Sequence, residues 1–219
     1  WVFGIPLQNR CSIGYLYNKN INTLDEVKED IKNVFLQFNL SPSENIQQIN
    51  FNNYYRKQNF TDKVAYNGNA SFFLEPMEST SLASVENINK MCWEYIHGKS
   101  DLSLINYTYK TKIKDIERVM ALHYFAGSIF ETKFWKTSYT KSKNFLEKSI
   151  YDPDFVKIYK MCKDMYLDNP SKKFPREKPI DLFSLTNLPS KGTWPIASYL
   201  QNFEGLDLYS KIDMNFNLN

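Results

Sequence analysis

Gly68-Asn-Ala-Ser-Phe-Phe-Leu-Glu-Pro-Met-Glu-Ser-Thr-Ser81 is the stretch on which the reading of this chain turns. It runs from a glycine turn through a short apolar segment to Pro76 and a helix start. Ahead of it, Lys63 to Tyr66 reads as a strand entering Asn67-Gly68-Asn69. Behind it, Leu82, Val85, Ile88, Cys92 and Tyr95 recur at helical spacing, and Gly98 is a natural stop. This predicts a helix over residues 79–97. Ser79 and Thr80 are residue types that cap helices. A helix start offers unpaired N–H groups and the positive end of the dipole, which suits an anion or a ring carbonyl. The same pattern also fits an ordinary capped helix after a tight turn.

Towards the N-terminus, Trp1 to Pro6 and Gly14 to Tyr17 read as two short strands around a turn, rich in aromatic and β-branched residues. Thr23-Leu-Asp-Glu26 is a capping-box pattern, and Leu24, Val27, Ile31, Val34, Phe35 and Phe38 follow at helical spacing. That helix is expected to end before Ser41-Pro42. Residues 46–57 look extended and close on the aromatic-basic Tyr54-Tyr55-Arg56-Lys57. Towards the C-terminus, helical pieces are expected near 113–130, 141–149 and 153–167. Pro170, Pro175, Pro179, Pro189 and Gly192 make 169–193 a connector, and a last helix fits 194–203. The fold class expected is α+β: a sheet-rich part over 1–78, then a mainly helical part over 79–219.

Composition narrows the function classes. The chain has 219 residues, 42% hydrophobic and 23% charged, as a globular protein has. No apolar run approaches the roughly 18 residues a membrane helix needs. The net charge of +3, from 27 basic and 24 acidic residues, gives no general case for a nucleic-acid partner. Basic residues do outnumber acidic ones over 133–178, which reads as a solvated helical face or a docking surface for an anionic partner. Cys11, Cys92 and Cys162 are odd in number and far apart. They form neither a metal-ligand pattern nor a disulfide framework, which favours a reducing, cytoplasmic setting.

The quoted segment resembles the Gly-Asn-Ala…Glu-Pro-(Leu/Met)-Glu-Ser-Thr-Gly signature of the flavin-dependent tryptophan halogenase family. Trp1-Val-Phe-Gly-Ile-Pro6 resembles that family's Trp-x-Trp-x-Ile-Pro box, with Phe3 in place of the second Trp. Arg10, Gly14, Tyr15 and Tyr17 fit its continuation, although Ser12 stands where Gly is common. His123-Tyr124 and Glu131-Thr132-x-Phe134-Trp135 are similar to a later His-Tyr…Asp-Thr-x-(Phe/Tyr)-Trp stretch, and Trp194 and Gly205 to a looser one. The ordered matches cover most of residues 1–135.

The resemblance implies an enzyme that uses FADH2, O2 and halide to halogenate an aromatic, indole-like substrate through hypohalous acid. The reduced FAD would come from a separate flavin reductase. In that scheme Glu78 and Ser79 are the catalytic pair. Gly68, Asn69, Ala70, Thr80 and Ser81 contact the cofactor, and the backbone of Thr80 and Ser81 holds the halide. Trp1, Phe3, Ile5 and Pro6 line the tunnel on the substrate side. Ser81 departs from the family's glycine, and its Cβ would crowd flavin or halide. The family's tunnel lysine has no counterpart that can be assigned here.

The chain contains no Gly-x-Gly-x-x-Gly after an early strand. It also opens with Trp1 in what already reads as a strand. An N-terminal FAD-binding portion of the same protein is therefore expected to precede it, and the isolated chain to bind FAD weakly. Two other readings remain open at this stage: a related flavin monooxygenase that does not halogenate, and a non-catalytic module acting through its basic helical face. His97 reads as a helix-end residue, His123 as a core histidine and Cys92 as a small core residue.

Overall fold

The computed structural model describes residues 1–42, 46–75, 77, 80–167 and 194–218. The order is β1 (Val2–Pro6), β2 (Cys11–Tyr15), α1 (Leu24–Gln37), β3 (Tyr54–Tyr55), a 3₁₀ turn (Gly68–Ala70), β4 (Phe72–Phe73), α2 (Thr80–Ile96), α3 (Leu102–Ala126), α4 (Lys133–Ser149), α5 (Pro153–Leu167), α6 (Ile196–Gly205) and α7 (Leu208–Asn215). The fold is α+β, with two small antiparallel sheets, β1–β2 and β3–β4, and a predominantly helical remainder. The chain divides into two compact units: residues 1–50 with 128–138, and residues 51–127 with 139–219.

In the first unit β1 and β2 pair in the register Val2↔Tyr15 through Pro6↔Cys11. Phe3 faces Gly14, and a Cβ at Gly14 would collide with the Phe3 ring. Glycine there lets the ring lie flat on the neighbouring strand. The capping box forms as expected: Glu26 N–H donates to Thr23 Oγ1 (3.2 Å) and Thr23 N–H to Glu26 Oε2 (2.8 Å). The backbone contact with Thr23 holds the Glu26 carboxyl below its usual range. Val27 buries itself from α1, and Tyr15 of β2 donates to Asp30 of α1.

The second unit is organised on α3. Asp101 caps its start, accepting from Leu104 N–H at 2.8 Å, and Gly127, at φ +82°, ends it. Ile105, Tyr109, Ile113 and Ile116 pack with Phe60, Phe72, Leu74, Ile88 and Met91. One end of the helix thus belongs to one core. At the other end, Val119, Leu122 and Phe125 enter a larger core with Leu146, Phe155, Tyr159, Tyr199, Phe203 and Ile212. Each such side chain stabilises the fold by about 1.5–3 kcal/mol. Cys162 is fully buried there, and burial pushes its thiol up to about 12.

That core also holds an ionic group. Arg118 lies 3.8 Å from Asp115 and 3.5 Å from Asp152, with its guanidinium carbon 5.0 Å from the centroid of the Phe155 ring. Tyr199 donates to Asp115, and its phenol is held protonated, first by burial and then by that carboxylate.

Several elements differ from the sequence expectation. Residues 63–66 form no strand. Thr61 Oγ1 accepts from Val64 N–H (3.0 Å) while Thr61 N–H donates to Val64 O (2.8 Å), and this tight turn leaves only the bridge Phe60↔Ala65. β2 begins at Cys11, three residues early. On α2 the buried face is Thr80, Ser84, Ile88 and Met91, whereas Leu82 is 74% exposed. Thr80 and Ser84 go inside because their hydroxyls donate to carbonyls at Met77 (2.6 Å) and Thr80 (2.8 Å). α3 starts eleven residues before Ile113, α4 starts at Lys133, and α7 has no counterpart in the sequence expectation. The expected connector 169–193 lies outside the described residues, and α6 begins two residues later than predicted.

Candidate functional site

The Gly68–Ala70 turn is the best-defined part of the expected cofactor site. Gly68 takes φ +53°, a conformation glycine adopts without strain, and the space where a Cβ would stand is open. Asn67 caps the turn by accepting from Gly68 N–H at 2.7 Å. All three carbonyls of the turn are engaged within the protein. Gly68 O accepts from Ser71 N–H (2.9 Å), Asn69 O from the Tyr54 hydroxyl, and Ala70 O from Arg56 Nε (2.6 Å). The open face above Gly68 and the exposed side chain of Asn69 remain for a ligand. This surface combines a glycine without a Cβ, open to close approach, with carbonyls tied back inside the protein.

Beneath the turn lies a buried polar network. Ser71 Oγ donates to Asn59 Oδ1 (2.7 Å) and sits 3.0 Å from the Tyr109 hydroxyl, which donates to Ser71 O (3.2 Å). Asn59 Nδ2 donates to Tyr66 O at 2.9 Å. Asn106 of α3 accepts from both Asn59 N–H and Phe60 N–H, and returns a bond to Phe60 O. Asn59 and Ser71 are fully buried. Each of these buried polar side chains meets a partner, so the network fixes the turn rather than weakening it. Burial raises the Tyr109 phenol, which keeps it a donor at neutral pH.

The turn is also tied to α2. Asn67 Nδ2 donates to Val85 O (3.3 Å) and to Asn89 Oδ1 (2.8 Å). At the start of that helix Thr80 is buried and Ser81 half-buried. The Thr80 hydroxyl is committed to Met77 O, so the backbone N–H groups of the first turn are what this end of α2 has to offer an anion. Glu78 and Ser79 lie outside the described residues. A cavity of about 10 Å³ lies further along α2, against β4 and α3, lined by Ser84, Asn87, Ile88, Tyr109 and Lys112 among others. It has room for about one water and none for an aromatic substrate. Burial holds the Lys112 ammonium below its usual range.

In the first unit Trp1 and Phe3 are half-buried on the same face of β1, with ring centroids 5.5 Å apart and planes at 51°. Ile5 follows on that face by strand alternation but is 48% exposed, and Pro6 is exposed.

Sequence reading alone does not find Tyr54, Arg56, Asn67, Ser71 and Tyr109 as parts of this site. Tyr54-Tyr55-Arg56 stands out as aromatic and basic, but nothing in the sequence names the carbonyls they meet. Nor does it find Glu75, which accepts from the Tyr124 hydroxyl of α3. His97 follows the last residue of α2, as expected of a helix-end residue, whereas His123 is half-buried on α3 rather than a core residue; each ring Nδ1 lies 2.8 Å from the carbonyl four residues back, at Trp93 and Val119. Among the described residues there is no group of three His, Cys, Asp or Glu able to hold a metal ion, and no helix long and apolar enough to cross a membrane.

Residues 1–151, which include the glycine turn, the start of α2 and the Tyr124–Glu75 pair, match the tryptophan halogenase family. The chain belongs to that family of flavin-dependent halogenating enzymes, for which FAD is the implied cofactor and an aromatic molecule the general substrate.

Proposed function

We propose that this chain is the part of an FADH2-dependent halogenase that carries the halide end of the flavin site and the cap over an aromatic, indole-like substrate. The observation that carries this reading is the glycine turn braced against α2 through Asn67, inside the segment 1–151 that matches the family. When bound, reduced FAD supplies the activation of O2 that turns halide into hypohalous acid. Gly68, Asn69 and Ala70 hold the flavin, by close approach over Gly68 and through the exposed side chain of Asn69. The backbone N–H groups of Thr80 and Ser81, at the positive end of α2, hold the halide and the adjoining edge of the cofactor. Glu78 orients the oxidant or takes the proton released when the ring is substituted, and Ser79 assists it. Trp1, Phe3, Ile5 and Pro6 are assigned to the tunnel on the substrate side.

The functional division is then a flavin- and halide-facing part over 1–78 and a substrate-capping part over 79–219. The chain has no Gly-x-Gly-x-x-Gly, so the dinucleotide-binding turn belongs to an N-terminal portion of the full-length protein. A separate flavin reductase provides FADH2, and the cytoplasm, where thiols such as exposed Cys11 stay reduced, is the setting. The test is to supply the full-length protein with reduced FAD, O2, bromide and indole-type substrates, and to look for a brominated mass. Phe3 and Ser81, where the family has Trp and Gly, favour a second reading: a flavin monooxygenase on the same scaffold. An oxygenated product with no brominated one would establish that reading instead.

A further inference from the structure

We infer that Arg56, with Tyr54 and Tyr66, is a positioning residue for the cofactor turn: it holds the turn's carbonyls back so that the open face over Gly68 meets the flavin without an opposing acceptor. The inference rests on the reading of that turn as a flavin contact. Arg56 Nε donates to Ala70 O at 2.6 Å, and Arg56 N–H donates to Ser71 O at 3.0 Å. The guanidinium carbon lies 3.6 Å from the centroid of the Tyr66 ring, so the ring face sets the plane of the fork. Tyr66 is itself pinned, since its N–H donates to Asn59 O (3.1 Å) and its carbonyl accepts from the buried Asn59 side chain. Tyr54 secures the adjacent carbonyl, at Asn69.

A carbonyl released from such a clamp would swing toward any incoming ligand. Against the phosphates and ring carbonyls of a flavin it would place acceptor against acceptor. The clamp removes that repulsion and fixes the open face over Gly68 in advance, so less ordering is needed when the flavin binds. Lysine carries the same charge but has neither the planar fork nor a donor at the Nε position, and so does not replace arginine here.

The experiment titrates full-length wild-type, Arg56→Met, Arg56→Lys, Tyr66→Leu and Asn69→Ala proteins with oxidised FAD, followed by flavin fluorescence. Hydrogen exchange across residues 66–74 is measured alongside, without flavin. Loss of one charge-assisted hydrogen bond predicts FAD binding weakened about tenfold in Arg56→Met. Arg56→Lys should be nearly as weak, Tyr66→Leu intermediate, and exchange over 66–74 faster in all three with the rest of the chain unchanged. Exchange and affinity both near wild type in Arg56→Met, with Asn69→Ala weakened, would overturn the positioning role alone. Affinity unchanged in Asn69→Ala as well would overturn the reading of the turn and the inference with it. Full recovery by Arg56→Lys would replace positioning with simple charge attraction. Exchange raised throughout the chain in Arg56→Met would mark a general folding defect. Tyr66→Leu, which leaves the arginine in place, then decides, and near-wild-type FAD affinity in it overturns the role.

Discussion

Tyr124, two residues from the C-terminal end of α3, donates its hydroxyl to Glu75, which precedes the Pro-Met-Glu of the halogenase signature. The bond spans 49 residues, and both partners lie within the residues 1–151 that match the family. α3 itself is anchored in both cores, so Glu75 is held against the helix that the two cores of its unit share. The bond thereby fixes Glu75, three positions ahead of the proposed catalytic Glu78.

Tyr124→Phe is accordingly expected to lower halogenated product per flavin oxidised by about threefold or more, while FAD affinity stays within about twofold of wild type. Removing the donor from a half-buried carboxylate costs about 1–3 kcal/mol, which loosens the approach to Glu78 without dismantling the core. Product yield, FAD titration and thermal melting of the same preparations check it. Unchanged yield would confine the Tyr124–Glu75 bond to stability.

The Asp115–Arg118–Tyr199 group makes a separate prediction about stability. Asp115→Ala leaves Arg118 with Asp152 but takes away one of its two carboxylates, and removes the acceptor of the buried Tyr199 hydroxyl. A loss of about 1–3 kcal/mol is expected from urea unfolding, the cost of leaving a buried donor unsatisfied. Asp115→Asn retains an acceptor for Tyr199 and should cost less. Equal losses in the two variants would show that charge, not the hydrogen bond, is what matters.

Elements whose signals are local can be read directly from the chain. The Thr23–Glu26 box announces α1 because both of its partners lie within one turn, and Gly98 announces the end of α2 for the same reason. The α+β class and the order of the family segments are also readable. Contacts between distant residues that look ordinary in sequence are not. Ser84 and Thr80 read as polar, yet they lie inside because each hydroxyl is satisfied by a carbonyl three or four residues back. Leu82 reads as core and faces out. Asn59, Ser71 and Asn106 are lost among the many polar residues of an Asn-rich chain, and only their mutual hydrogen bonds mark them as the foundation of the turn.

Lys112 carries the pH prediction. Burial, the largest influence, lowers its pKa; Lys90 adds to this, while Asp115 and Glu94 oppose it. The folded state therefore binds that proton less readily than the unfolded chain does. The penalty is complete at pH values below the depressed pKa and fades as pH rises through it toward 10.5. Lys112→Met should raise the melting temperature at about pH 7 and lose that advantage as the pH approaches about 10. Melting curves of the two proteins across that range measure this. An advantage that grew with pH would reverse the sign and exclude desolvation as the cause.

Glu78→Gln tests the proposed chemistry most directly. The substitution keeps the size and hydrogen-bonding outline of the side chain but removes the negative charge and the proton acceptor. If Glu78 orients the oxidant or takes the ring proton, halogenation by the full-length protein should fall about 100-fold or more, the usual scale of general acid–base assistance. FAD affinity and thermal stability should change little. If Glu78 only faces the start of α2, its carboxylate contributes about 0.3–1 kcal/mol through the helix dipole. The variant would then melt slightly earlier and halogenate normally. Turnover is measured as product per reduced flavin at fixed halide, because a halide-binding defect would be relieved by raising bromide whereas a proton-transfer defect would not. A rate that recovers fully at high bromide would move Glu78 from the catalytic step to the halide site. A rate that never fell would remove it from the reaction altogether.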